Sequence, residues 1–177
     1  LGRDATVRAL AIAAFLLYVA QVVPQAVWVL SNKVRFGWEE KENGYTLALL
    51  GACTMFVQLV LVRVLQPRLG DSGLARLGFV INAVGFVGLG LASRPEFLLV
   101  AMAVWTVCFL GRPAVQSLVS RRLGPGEQGA AGGALASLFS LASVVGPPVW
   151  TELFAVGSRA GGFALGLPYF VGAAVTL

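Results

Sequence analysis

The chain has 177 residues and a formal net charge of +5, and 58% of its residues are hydrophobic while only 12% are charged. A soluble domain has about 25% charged residues and hides only about two thirds of its extended surface on folding, so a soluble fold of this composition would lack a polar coat. Histidine is absent, and the two cysteines, Cys53 and Cys108, have no metal-ligand spacing. This composition argues against structural zinc, a disulfide framework and histidine-based catalysis.

Other functional classes also find little support in the sequence. The arginines lie in short connections and form no continuous basic stripe, so we expect no nucleic-acid partner. No phosphate-binding glycine pattern is present, and the serines lack a histidine or a suitable lysine base, so we expect neither an enzyme nor a cofactor. The chain begins without methionine and ends inside an apolar run, from which we expect a fragment of a longer protein.

Six apolar stretches, separated by short polar breaks, predict an all-α membrane protein with one bundle of transmembrane helices over residues 1–177. In chain order they span residues 9–30, 45–65, 74–92, 97–119, 130–156 and 160–177. Most approach the length of about 20 residues that crosses a hydrocarbon core. The third does so only if Leu74 to Arg76 enter the interface, with the arginine extending its long side chain toward the headgroups.

Short connections force successive helices to alternate in direction, which divides the basic residues between two sides of the lipid bilayer. Seven share one side: Arg3, Arg8, Arg63, Arg68, Arg76, Arg121 and Arg122. Five share the other: Lys33, Arg35, Lys41, Arg94 and Arg159. Because loops rich in lysine and arginine stay in the cytoplasm, we expect both ends of the chain on the cytoplasmic side.

Polar side chains inside such helices are costly and normally face a bundle interior or a wet cavity. In the first helix Gln21, Gln25 and Trp28 are four and three residues apart, so they lie on one face, and Pro24 predicts a kink. The glutamines line a ligand cavity or bond to neighbouring helices, and both interpretations remain open. Trp28 is interpreted as an anchor at the membrane interface.

The second and third helices also carry neutral polar residues. Thr54 and Gln58 are four residues apart and continue a face that begins at Gly51, while Asn82 lies in the third helix. These side chains line a cavity, or they hold helices together by hydrogen bonds. The sequence alone does not separate the two interpretations.

The fourth helix carries a cation, Arg112, about 6 Å past its midpoint at 1.5 Å per residue. A charge at that depth needs water or an acid if it lines a cavity. The alternative, which the length of the side chain favours, is that it extends to the cytoplasmic headgroups.

The fifth helix combines small residues, a proline pair and one acid. Gly129 and Gly133 predict close helix packing, and Gly146 with Pro147 predicts a bend. Glu152 is the only acid embedded in an apolar run. It is a candidate proton carrier, because a low-dielectric environment favours the neutral carboxyl, or it is an outer-interface residue that stays ionised.

Three segments together resemble one family, the tetracycline-resistance branch of the major facilitator drug:proton antiporters. The first is VPQAVWVL followed by RFGW, from Val23 to Trp38. The second is a degenerate basic loop around Arg68 and Gly70. The third and most specific begins at Pro113 and includes GALASLFSLASVVGP, which ends at Pro147.

This resemblance implies that the six helices are helices seven to twelve of a twelve-helix carrier whose other half lies outside this chain. It also implies export of a small-molecule drug, driven by inward proton flow across a bacterial inner membrane. Thr54 stands where the family usually has histidine, and Asn82 where it has aspartate, so we assign proton coupling to the missing half or to Glu152. The predicted substrate cavity comprises Gln21, Gln25, Gln58, Asn82 and Arg112. Export of another compound, and a module that does not transport, are the alternatives.

Overall fold

The computed structural model describes residues 12, 15–111, 113, 114, 117 and 128–176, and all regular structure within them is helical. The main helices are α1 (Val23–Phe36), α2 (Glu40–Phe56), α3 (Val62–Leu91), α4 (Pro95–Thr106), α5 (Gln128–Ala160) and α6 (Leu167–Thr176). Short irregular turns adjoin them: a π turn at Val57–Leu61 and 3-10 turns at Val107–Leu110 and Gly162–Gly166. The prediction of an all-α chain is confirmed.

Several of these helices have the length and composition of membrane spans. Among the described residues three helical stretches qualify, namely Phe15–Phe36, Glu40–Leu91 and Gly132–Ala160. Two shorter apolar helices, Pro95–Leu110 and Gly162–Thr176, accompany them. This pattern agrees with the membrane class that hydropathy predicts.

The long stretch from Glu40 to Leu91 folds back on itself at Gly70. That residue has φ 64° and ψ 175°, a conformation open to glycine and strained for other residues. Val57 and Leu74 share one packed cluster, although a straight helix would hold them about 25 Å apart. The side chain of Gln66 donates to Asp71 Oδ1 at 3.1 Å across the turn.

The helix ends between the first two helices differ from the predicted boundaries. The apolar stretches predict a break over residues 31–44, whereas α1 continues to Phe36 and α2 begins at Glu40. Gly37 ends α1 in the left-handed conformation (φ 68°), with its N–H bonded to the Lys33 carbonyl. A capping box that includes Glu39 starts α2. Polar caps thus extend both helices beyond the apolar residues that hydropathy detects.

An aromatic core holds the helices together. Its largest members are Trp28, Phe86, Trp105, Trp150, Phe154 and Tyr169. The interpretation of Trp28 as an interfacial anchor is wrong, because only 3% of this residue is exposed. Its indole N–H donates to Thr46 Oγ1 at 3.3 Å, and this bond joins α1 to α2.

Candidate functional site

A groove of about 510 Å³ lies along α2, where this helix faces the turn that follows α4. It is lined by Leu47, Leu50, Gly51, Thr54, Met55, Gln58 and Phe109. Thr54 of α2 and Gln58 of the π turn that continues it are four residues apart, and this helical spacing explains why they reach the same surface. None of the described residues that line the groove is charged, so its surface is apolar with two neutral polar side chains.

The two polar side chains of the groove are bonded differently. Thr54 donates its hydroxyl to the Leu50 carbonyl of its own helix at 2.8 Å. Gln58 donates Nε2 to the Phe109 carbonyl at 3.2 Å, across to the turn after α4. Gln58 therefore both lines the groove and connects two helices.

Asn82 lies inside the bundle rather than in the groove, with only 6% of its surface exposed. Trp105 Nε1 donates to Asn82 Oδ1 at 2.9 Å, and Asn82 Nδ2 donates to Thr176 Oγ1 at 3.1 Å. Both ends of the amide thus hold α3 to its neighbours. The Trp105 ring packs edge-on against Phe109, with ring centroids 5.2 Å apart, and Phe109 lines the groove, so this aromatic pair connects Asn82 to the groove lining.

The glutamines of the first helix do not line the groove. Gln21 is half-buried, and its buried Oε1 has no hydrogen-bond partner among the described residues. Gln25 is exposed one turn later. Pro24 is the second residue of α1, which begins directly after Val22, a turn residue that separates this helix from helical residues 15–21.

The predicted residues of α5 have different surroundings. Gly129 and Gly133 have open space where a Cβ would project, and among the described residues nothing lies within 4 Å. Gly146 packs closely, since a Cβ there would lie 3.1 Å from Val22 Cγ1. Glu152 is exposed on the surface of the helix. These residues do not converge on the groove.

Two further residues complete the predicted set. Pro147 lies inside α5, and its carbonyl accepts the Thr151 hydroxyl at 2.8 Å. Arg112 lies outside the described residues. Of the predicted cavity residues, the groove therefore contains Gln58.

Sequence reasoning missed Arg35, which is half-buried at the end of α1. Its guanidinium donates to the carbonyls of Leu89 (2.8 Å), Gly90 (3.1 Å) and Ala92 (3.2 Å). The last carbonyls of a helix have no N–H partner within it and form the negative end of its dipole. Arg35 also lies 5.8 Å from the centre of the Tyr169 ring. Its position in the RFGW segment was the only available signal.

Sequence reasoning also missed Asn32 and Asn43, which bond side chain to side chain at 3.1 Å. Only 1% and 3% of these residues are exposed. Together with Arg35, this pair connects the end of α1 to α2, α3 and α6. That end of the bundle is held by polar contacts, because backbone carbonyls and amides there have few helical partners of their own.

The apolar helices, their buried polar connections and the neutral groove define a helical membrane protein. No protein-family model matches the chain. Among curated proteins, the class C tetracycline resistance protein of Escherichia coli is 31% identical over 163 residues, which is 92% of this chain and 40% of that protein. The class G tetracycline resistance protein of Vibrio anguillarum is 31% identical over 82% of this chain and 37% of its own length.

A more distant similarity extends to animals. The human hippocampus abundant transcript-like protein 1 is 24% identical over 86% of this chain and 30% of its own length. The chain is homologous to the tetracycline resistance proteins over most of its own length. It spans only about 40% of the length of the class C protein.

Proposed function

We propose that this chain forms helices seven to twelve of a twelve-helix major facilitator carrier. The fold-back at Gly70 supports this arrangement, because it divides Glu40–Leu91 into two lengths that each suit one crossing of the bilayer. With the other four apolar helices, the chain then has six spans. The share of the class C protein that the chain covers is also in keeping with half of a carrier.

We propose further that the complete carrier exports drugs, tetracycline among them, in exchange for protons. The observation that carries this proposal is the 31% identity to a tetracycline resistance protein over 92% of the chain. The groove supplies a matching chemistry, since its apolar wall suits an aromatic ring system and Gln58 offers an amide to polar substituents. Rocking of the two halves about a bound drug would expose it to alternate sides.

Proton coupling needs a titratable group, and the described lining of the groove has none. Thr54 stands in that lining, and its hydroxyl does not change its protonation state near neutral pH. We therefore assign proton transfer to acids of the other half, or to Glu152 on the exposed surface of α5.

The neutral groove also favours a second candidate, export of an uncharged aromatic compound other than tetracycline. A cationic or metal-chelated drug would lack a counter-charge among the described lining residues. An uncharged compound would need only the ring surface and the Gln58 amide. Measurements of transport, rather than of binding alone, are therefore needed to identify the substrate.

We also propose the cytoplasmic membrane of a bacterium as the location, with both ends of this segment on the cytoplasmic side. The charge asymmetry of the loops, seven basic residues against five, supports this orientation. The partners are the lipid bilayer, the amino-terminal six-helix half, the drug and protons.

The test is uptake of radiolabelled tetracycline into inverted membrane vesicles that contain the complete gene product. We expect uptake that collapses when an uncoupler dissipates the proton gradient. Uptake of an uncharged dye without uptake of tetracycline would favour the second candidate. If the folded carrier takes up neither compound, a module that does not transport becomes the better description.

A further inference from the structure

Two irregular turns face each other beside the groove. The π turn Val57–Leu61 includes Gln58, and the 3-10 turn Val107–Leu110 includes Phe109. The two turns are in contact, and the bond between Gln58 and Phe109 connects them. Departures from α-helical geometry inside long helices often accompany functional sites and hinges.

The carbonyl that Gln58 contacts has a special place in the sequence. In a regular α-helix the carbonyl of residue 109 accepts the N–H of residue 113. Residue 113 is proline, which has no N–H. Pro113 thus stands where a regular helix would place the donor for the Phe109 carbonyl. The Gln58 side chain donates to this carbonyl from the neighbouring helix.

Contacts with α3 hold the chain on both sides of the 3-10 turn. Trp105, before the turn, is bonded to Asn82, and a Cβ at Gly78 of α3 would lie 2.9 Å from the carbonyl oxygen of Cys108 in the turn and 2.9 Å from the backbone nitrogen of Gly111 after it. On the side of the groove the turn is held by the bond from Gln58 to the Phe109 carbonyl.

We propose that Gln58 transmits occupancy of the groove to the 3-10 turn Val107–Leu110 that follows α4, an inference that rests on the proposed transport function. A bound compound whose carbonyl or enol oxygens accept the Gln58 N–H competes with the Phe109 carbonyl. Loss of that bond loosens the 3-10 turn Val107–Leu110. Gln58 is thus a positioning residue for this turn as well as a contact for the substrate.

Hydrogen–deuterium exchange of the complete gene product, with tetracycline as the probe, tests this coupling at residues 107–110. We expect saturating tetracycline to speed exchange there about fivefold, the change that loss of one ordinary hydrogen bond produces in an opening equilibrium. Gln58→Leu should speed exchange without drug and leave no further response. Pro113→Ala restores a backbone donor, so adding Gln58→Leu to it should have no effect on exchange.

Thr54→Val is the matched control, because Thr54 lines the same groove but bonds only to its own helix in the described contacts. Its exchange at residues 107–110 should equal that of the wild type. Transport separates coupling from binding: Pro113→Ala should keep the tetracycline Kd within about threefold, yet slow transport by about tenfold or more.

Equal effects of Gln58→Leu with and without Pro113→Ala would overturn the inference, as would faster exchange in Thr54→Val. Failure of the wild-type carrier to transport tetracycline would instead count against the proposed substrate. In that case exchange measured without drug still tests the coupling. If residues 107–110 of Gln58→Leu exchange at the wild-type rate, the coupling is overturned. If they exchange faster, and Pro113→Ala abolishes this increase, the coupling is supported.

Discussion

The indole N–H of Trp105 donates to the side-chain oxygen of Asn82 at 2.9 Å, and this bond joins α4 to α3 inside the bundle. Asn82 Nδ2 in turn donates to Thr176 Oγ1 of α6 at 3.1 Å. One neutral amide therefore bonds three helices. Its position explains why a polar residue is present in the middle of an apolar helix, independently of any contact with a substrate.

Asn82→Ala is expected to destabilise the carrier by about 1–3 kcal/mol, because Trp105 and Thr176 each lose a buried partner. Thermal unfolding of the complete gene product in detergent, followed as Tm, measures the effect. Gln25→Ala is the control, since Gln25 is exposed. Equal Tm shifts for the two variants would contradict a structural role for Asn82.

Asn82→Asp is expected not to increase tetracycline uptake into inverted vesicles. The site is 6% exposed and does not line the groove, so a carboxylate there provides no counter-charge to the drug. Placing it in the apolar bundle should lower Tm instead. A gain in uptake at unchanged protein level would place Asn82 in the path of the substrate.

Arg35→Met is expected to lower stability by about 2 kcal/mol, because three backbone carbonyls at the end of α3 lose a charged donor. Lys33→Met, an exposed cation in the same turn of α1, should change Tm little. Thermal unfolding of both variants provides the comparison. If the two curves coincide, the contacts of Arg35 contribute nothing to stability.

Glu152→Gln is expected to abolish the pH dependence of tetracycline transport if this half of the carrier exchanges protons, since the amide cannot bind and release a proton. Initial uptake rates across a pH series in vesicles give the profile. Glu96→Gln, at an exposed position in the first turn of α4, should keep the wild-type profile. An unchanged profile for Glu152→Gln would assign proton coupling to the other half.

Gly85→Ala is expected to destabilise the bundle by about 1–3 kcal/mol, the usual cost of overpacking. A Cβ at this position would lie 2.7 Å from Trp105 Cβ, so α3 and α4 would have to separate. Gly129→Ala, where no described residue lies within 4 Å of the new Cβ, should be neutral or slightly stabilising because alanine favours a helix. A Tm for Gly85→Ala equal to the wild-type value would show that the two helices adjust freely.

Local properties of the chain were predictable from its residues alone. The helical class follows from the summed hydropathy of neighbouring residues, and the structure confirms it with helices long and apolar enough to cross a membrane. The shared face of Gly51, Thr54 and Gln58 follows from helical spacing, and these residues do line one groove. Helix ends were less predictable, because the caps at Gly37 and Glu39 are polar and add nothing to hydropathy.

Long-range partners were decided only by the tertiary structure. Asn82 bonds to a residue 94 positions away, and Arg35 to carbonyls at least 54 positions away. Residue spacing fixes the face on which a side chain lies, but the packing of helices fixes what that face meets. For the same reason the sequence determined that Gln58 and Pro113 are present, while only the tertiary structure brought the glutamine to the carbonyl of Phe109.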